Sequence, residues 1–170
     1  ASATAFDGLS DAGNSLTVDT TAPTISSATI EGVKADGVTS DSNLAAGEKV
    51  LVKVVTDQAV VVTGTPQYTI DIGGNSRVAD YTGGDGTSGD PLVFEYVVTS
   101  ADTDSSGGIT AAADALTLNG GGIADAAGNA LTLAVDAVAS GANSIAVDGV
   151  APTVTVDILD AGTGLNDTDI

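Results

Sequence analysis

The sequence predicts an all-β chain folded as an antiparallel β-sandwich of seven or eight strands, and three observations carry that expectation. Several segments alternate apolar and polar residues with the period of two that a half-buried strand requires. Clusters of Gly, Asp, Asn and Ser separate those segments. No stretch sustains the 3.6-residue period of an amphipathic helix.

Taken in order, Pro23 is tolerated only where no ladder donor is needed, so TISSATIEG over residues 24–32 is expected as an edge strand. A long polar loop follows, and then KVLVKVVT over residues 49–56 alternates and is rich in β-branched residues. QYTIDIG over 67–73 places Tyr68, Ile70 and Ile72 on one face. The GGN cluster at 73–75 is a turn signal leading into SRVADYT, which predicts a hairpin over 67–82 with Val78 and Ala79 near its middle. GGDGTSGD is a solvated loop. Pro91 then opens PLVFEYVVTS, where Leu92, Phe94, Tyr96 and Val98 share a parity and are expected to face the core. ALTL (115–118), ALTLAV (130–135) and NSIAVD (143–148) read as closing strands, while AAADA (111–115) has room for one helical turn.

One clause occurs twice. NSLTVDTTAPTI over residues 14–25 returns as NSIAVDGVAPTV over 143–154, with Asp19 and Asp148, and likewise Pro23 and Pro152, 129 residues apart. The register extends backwards, pairing Ala5, Asp7, Asn14, Ser15 and Val18 with identical residues at Ala134, Asp136, Asn143, Ser144 and Val147. Residues 1–19 are therefore expected to end a preceding repeat, 20–148 to form a complete one, and 149–170 to open the next. A unit of that length is ample for its own core.

The core must be built from Val, Ile, Leu and Ala, because there are three Tyr, two Phe and no Trp, Met, Cys or His. The last absences remove the commonest general base, the commonest transition-metal ligand and the thiol nucleophile, and also any disulfide. Twenty-three acidic residues against four basic ones give a net charge of −19. That balance excludes nucleic acid as a partner, since phosphate neutralisation needs clustered cations and Lys34, Lys49, Lys53 and Arg77 are scattered. No apolar run approaches the ~18 residues of a spanning helix, so no membrane insertion is expected. The acidic set is biased: 20 Asp against Glu31, Glu48 and Glu95. Asp caps turns and also chelates Ca²⁺, so turns, metal sites or both are indicated.

AGEKVLVKVV, VVVTGTPQYTIDIGG, YTGGDGTSGDPLVFEYVV, DTDSSGGI, ALTLNGGGIADAAGNALT and VDTTAPTI together resemble the bacterial Ig-like repeat of giant cell-surface proteins, including the type named after a swimming-motility-associated protein. The resemblance covers nearly all of residues 20–148. It implies an Ig-like sandwich acting as an extracellular extender domain, often exported by a type I system and frequently calcium-dependent. Asp57, in TDQAV, stands where many relatives carry Ser-Glu.

The candidate metal ligands are Asp19, Asp57, Asp102, Asp104, Asp125 and Asp148. Asp102 and Asp104 stand at an i, i+2 spacing before Gly107 and Gly108, a loop that suits a hard cation or, equally, a capped turn. It is not an EF-hand, because the twelfth position from Asp102 is Ala113. DAAGN over 125–129 fits a tight turn as well as a ligand loop. Asp19 and Asp148 precede the Pro-containing linkers, where they ligate metal or accept backbone hydrogen bonds. Alternation of loops along a sandwich would put Asp19, Asp57, Asp85 and Asp125 at one pole and Asp36, Asp41, Asp102, Asp104 and Asp148 at the other. Units stacked head to tail would then bring both sets to one junction, where Ca²⁺ bridges them.

The expected function is that of a calcium-stiffened extender in a bacterial surface adhesin or biofilm protein, extracellular, whose partners are neighbouring repeats of the same chain. The alternative is a subunit of a self-assembling surface layer, sheath or filament, with lateral copies of itself as further partners. A carbohydrate-active enzyme fragment is a third reading, resting only on paired carboxylates. No catalytic residue is assigned.

Overall fold

The computed structural model describes residues 18–105 and 107–155. Among them the chain is all-β, with strands β1 (Ile25–Val33), β2 (Asn43–Ala45), β3 (Lys49–Thr56), β4 (Val61–Thr63), β5 (Gln67–Ile72), β6 (Asn75–Gly83), β7 (Leu92–Val97), β8 (Thr103–Asp104), β9 (Leu116–Thr117), β10 (Gly122–Ala124) and β11 (Ala146–Asp148). β1, β3, β7, β6, β5 and β9 form one six-stranded sheet in that order, and its pairings are antiparallel. β10 pairs with β4, and β11 lies between β2 and β8. Strands of two or three residues raise the number above the seven or eight expected, and β11 runs parallel to β2, so pairing is not antiparallel throughout.

The alternation read from sequence fixes which side each long strand buries. In β3, Val50, Val52 and Val54 are fully buried, while Lys49 and Lys53 on the opposite face reach Glu95 and Glu31. β3 sits between β1 and β7, which suits its β-branched content, and β1 begins the sheet at its edge after Pro23. Tyr68, Ile70 and Ile72 of β5 and Leu92 and Phe94 of β7 are buried to within 1%. Side chains of this size contribute about 1.5–3 kcal/mol each on burial. Phe94 lies between Tyr68, tilted at 52°, and Tyr81, edge-on at 64°, with centroids 5.7 and 5.8 Å away. Leu44, Val147 and Ile123 bring β2, β11 and β10 into the same apolar cluster, so the small sheets share one core with the large one. Tyr68 Oη is buried there without a hydrogen-bond partner.

The β5–β6 hairpin turns at Gly73 and Gly74, with φ of 58° and 84°. Two successive left-handed residues match the strand twist and select glycine. A Cβ at Gly73 would also lie 2.1 Å from Thr103 O, so the turn packs against β8.

Two expectations fail. Residues 130–135 form no strand: Leu131 N–H bonds to Ile123 O and Thr132 N–H to Pro23 O, so the segment divides its backbone between two partners and builds no continuous ladder. Residues 111–115 form no helical turn, because Asp114 is left-handed (φ 56°) and its N–H bonds to Val135 O.

Candidate functional site

An Asp carboxylate is short enough to fold back onto a backbone N–H two residues ahead, and the chain uses it this way repeatedly. Asp19 Oδ1 accepts from Thr21 N–H at 2.9 Å and Asp148 Oδ1 from Val150 N–H at 3.1 Å, so both copies of the repeated clause make the same turn. Asp36, Asp41 and Asp85 do likewise with Val38, Asn43 and Thr87. The Thr39 hydroxyl, aided by two N–H groups, lowers the Asp36 carboxyl to about 2. The Thr87 hydroxyl and then its N–H hold Asp85 below the usual carboxylate range. Glutamate is spent differently. Glu48, Glu95 and Glu31 pair with Lys34, Lys49 and Lys53, and Arg77 pairs with Asp102, so each of the four basic side chains faces a carboxylate.

β1 and β3 run between two poles. Ile25 meets Thr56 at the leading pole and Val33 meets Lys49 at the trailing pole. At the leading pole the Asp57 carboxylate accepts both the N–H and the hydroxyl of Thr24, each at 2.8 Å, and these donors, the N–H first, hold it below the usual range. Asp125 accepts the N–H and the amide of Asn129, each at 2.8 Å, and the Asn129 side chain is the main reason its carboxyl is depressed. The Asn129 amide also donates to Asp19 O at 3.2 Å. Gln58 Nε2 donates to Thr21 O and Thr132 N–H to Pro23 O. Linker residues 19–24 are thereby fastened to two separate loops of the domain, the one after β3 and the one between β10 and β11.

At the trailing pole the Asp102 side chain is fully buried and accepts four donors: Arg77 Nε at 2.5 Å, Tyr96 Oη at 2.7 Å, Thr99 N–H at 2.7 Å and Thr99 Oγ1 at 2.9 Å. Burial pushes its carboxyl up, but the Thr99 N–H, the Tyr96 hydroxyl, Arg77 and the Thr99 hydroxyl together outweigh burial and hold it below the ordinary value. Asp102 O accepts from Gly149 N–H at 2.9 Å, which ties this hub to the outgoing chain. Before β11, the Asn143 side chain pairs with the Ile109 backbone like a short strand, Nδ2 to O at 2.8 Å and N–H to Oδ1 at 3.0 Å. Val147 then lies between Leu44 of β2 and Asp104 of β8.

Asp19, Asp57 and Asp125 thus gather at one pole and Asp102, Asp104 and Asp148 at the other. Calcium takes six to eight oxygens, and among the described residues no three acidic side chains converge. Both oxygens of Asp57, Asp102 and Asp125 are already engaged by protein donors. Asp102 and Asp104, expected as neighbours in a ligand loop, are separated in role: one closes the hub and the other lies in β8 opposite Val147. Ser106 of that loop lies outside the described residues.

Sequence reasoning missed Arg77, Tyr96 and Thr99 as the partners of Asp102, and Gln58, Asn129 and Asn143 as clamps. Asn143 carried a signal in its identity with Asn14, and Thr99 and Asn129 lie within four residues of the carboxylates they bond; Arg77 meets Asp102 and Gln58 meets Thr21 only through the tertiary fold. No family model, curated protein or solved structure matches the chain.

Proposed function

We propose that this chain is a structural extender repeat, an Ig-like β-sandwich flanked by parts of its neighbours, in a large extracellular adhesin or biofilm protein of a bacterial surface. It works by length and stiffness, without turnover. The observation that carries this reading is complementary burial in the repeated clause. In the first copy Val18 is 74% exposed, while Pro23 is buried and Ile25 half-buried. In the second, Val147 is 3% exposed, while Pro152 and Val154 are bare. Each copy covers the half that this unit serves and leaves open the half that an adjoining unit would cover.

The incoming and outgoing linkers leave opposite poles, so copies in series add end to end. The nine residues of β1 alone account for about 30 Å of each step. Asx turns, prolines and side-chain clamps restrict rotation at the joint. In this reading calcium stiffens loops and inter-repeat linkers, above all where a trailing pole with Asp102, Asp104 and Asp148 abuts the next leading pole and carboxylates of two repeats meet.

Imaging of three repeats in tandem tests the proposal. The maximum dimension is expected to rise by at least about 30 Å per added repeat, and a folded-back particle would overturn it. Broad lateral contacts between copies would favour the surface-lattice reading instead. For the metal, Ca²⁺ is expected to raise the melting midpoint of the tandem protein, and by more than that of a single repeat. Equal midpoints in Ca²⁺, Mg²⁺ and chelator would remove calcium.

A further inference from the structure

We propose that consecutive repeats are joined with no free linker residue. Asp148 and Gly149 finish the fold of one repeat while the same two positions begin the clamp of the next, so the loop after β3 and the turn at 125–129 of each repeat pack on Ala45 and residues 99–103 of the one before. The joint presupposes the tandem reading above and adds the contact that makes it stiff.

The repeated clause shows one joint from both sides. From the trailing pole, Asp148 lies in register with Ala45 and Thr103, and Gly149 N–H donates to Asp102 O at 2.9 Å. A Cβ at Gly149 would run into Thr99 O, so this grip closes on bare backbone and selects glycine. From the leading pole, Asp19 stands at the position of Asp148, and its carbonyl accepts from the Asn129 amide at 3.2 Å. The carbonyl of Thr21, at the position of Val150, accepts from Gln58 Nε2 at 3.1 Å, and that of Pro23, at the position of Pro152, from Thr132 N–H at 2.9 Å.

Overlaid in the 129-residue register, the two grips interleave. The last residue bonded to one repeat is Gly149, and the first bonded to the next is the residue before it. A flexible tether would instead leave several unclamped residues between the two holds. The holds take different groups, the N–H of residue 149 on one side and the carbonyls of residues 19, 21 and 23 on the other, so both are made at once. Nor does the clause have to bend, because its aspartate turn is the same in both copies. Contact between the poles follows from these short reaches: with neighbouring strands about 5 Å apart and one side-chain hydrogen bond beyond them, Ala45 of one repeat stands within about 15 Å of Asn129 of the next. Unfolding one repeat then removes a surface that fixes the clause for the other, so neighbours add an interface term to their own stabilities.

Two proteins distinguish a shared clause from a merely repeated one. In the fused form, residues 1–149 run directly into residues 21–170, so two repeats share one clause with glycine at the closed position. In the spaced form, residues 1–155 and 18–170 are joined through a Gly-Ser segment, so each repeat keeps its own clause and every contact described above. The fused form is expected to unfold in urea as one transition, at a higher midpoint and with a slope approaching twice that of the spaced form, since the slope follows the surface exposed by one cooperative unit. The chain has no cysteine, so thiols placed at two exposed alanines, A45C in the first repeat and A127C in the second, are the only ones. A short bis-maleimide is expected to link 45 to 127 in most fused molecules and in few spaced ones. Equal slopes and midpoints, or equal cross-linking, in the two forms would overturn the proposal. A fused form that fails in this way yet images as a rod that lengthens with each repeat leaves the extender reading in place, whereas a folded-back particle removes both.

Discussion

Val18 and Val147 occupy the same place in two copies of one clause, yet the first is 74% exposed and the second 3%. One residue further on, Asp19 and Asp148 make the same turn, each accepting the N–H two residues ahead. The turn is a local event. It needs only a short carboxylate and a chain that bends, and it forms wherever the clause occurs. Burial is not local: Val147 has Leu44 on one side and Asp104 on the other, whereas Val18 meets no such slot in its own domain. Identical letters therefore carry one property with them and borrow the other from their surroundings.

The largest test of that contrast places a charge at each position. Val147→Asp is expected to cost more than about 4 kcal/mol in urea unfolding, through a carboxylate forced into the core, while Val18→Asp stays within about 0.5 kcal/mol. Comparable losses at both would break the comparison. Next in size, Asp102→Asn is expected to cost about 3 kcal/mol, because Arg77 loses its partner and the buried acceptor of Tyr96 and Thr99 is weakened. The folded carboxyl of Asp102 lies below its unfolded value of 3.8, so its contribution is complete above that value and is lost as the pH falls through the lower one. Asp36, Asp57, Asp85 and Asp125 shift in the same direction. Stability is accordingly expected to be level from neutral pH down to about 4 and to decline between 3.8 and about 2, the value for Asp36. A loss centred near pH 6 would contradict these contacts.

Smaller effects sharpen the slot. Asn143→Ala is expected to cost about 2 kcal/mol by stranding the Ile109 N–H and C=O, and to accelerate amide exchange at Ile109. The same change at the exposed neighbour Ser144 is expected to do neither. Smallest, and opposite in sign, Tyr68→Phe is expected to stabilise by about 1 kcal/mol, since its hydroxyl is buried without a partner. A loss on that substitution would show that the hydroxyl is bonded in solution.

Much of the fold was legible because long strands announce themselves by period. Residues 49–56, the hairpin at Gly73 and Gly74, and the parity of Leu92, Phe94 and Val98 all follow from alternation and turn chemistry. Residues 130–135 misled because an apolar run says nothing about how its backbone is partnered, and here that backbone divides between Ile123 and Pro23. Of the strands of two or three residues, β9 and β11 fall within segments read as closing strands, whereas β2, β4, β8 and β10 went unread because they exist only where a neighbour supplies the other half of each ladder. Among the candidate residues, the aspartate bias correctly signalled turns. Sequence did not show the donors that converge on Asp102, because Arg77, the charged one, lies 25 residues away on another strand.

By itself the sequence determined the all-β class, the 129-residue register, the hairpin and the Asx turns, since each depends on residues within a few positions or on plain identity between segments. The tertiary structure alone decided that Arg77 reaches Asp102, that β11 runs parallel to β2, and that one valine of a repeated pair is buried while its twin is bare. Those outcomes turn on which distant backbones meet, and contact across the fold is a property of packing that no local pattern encodes.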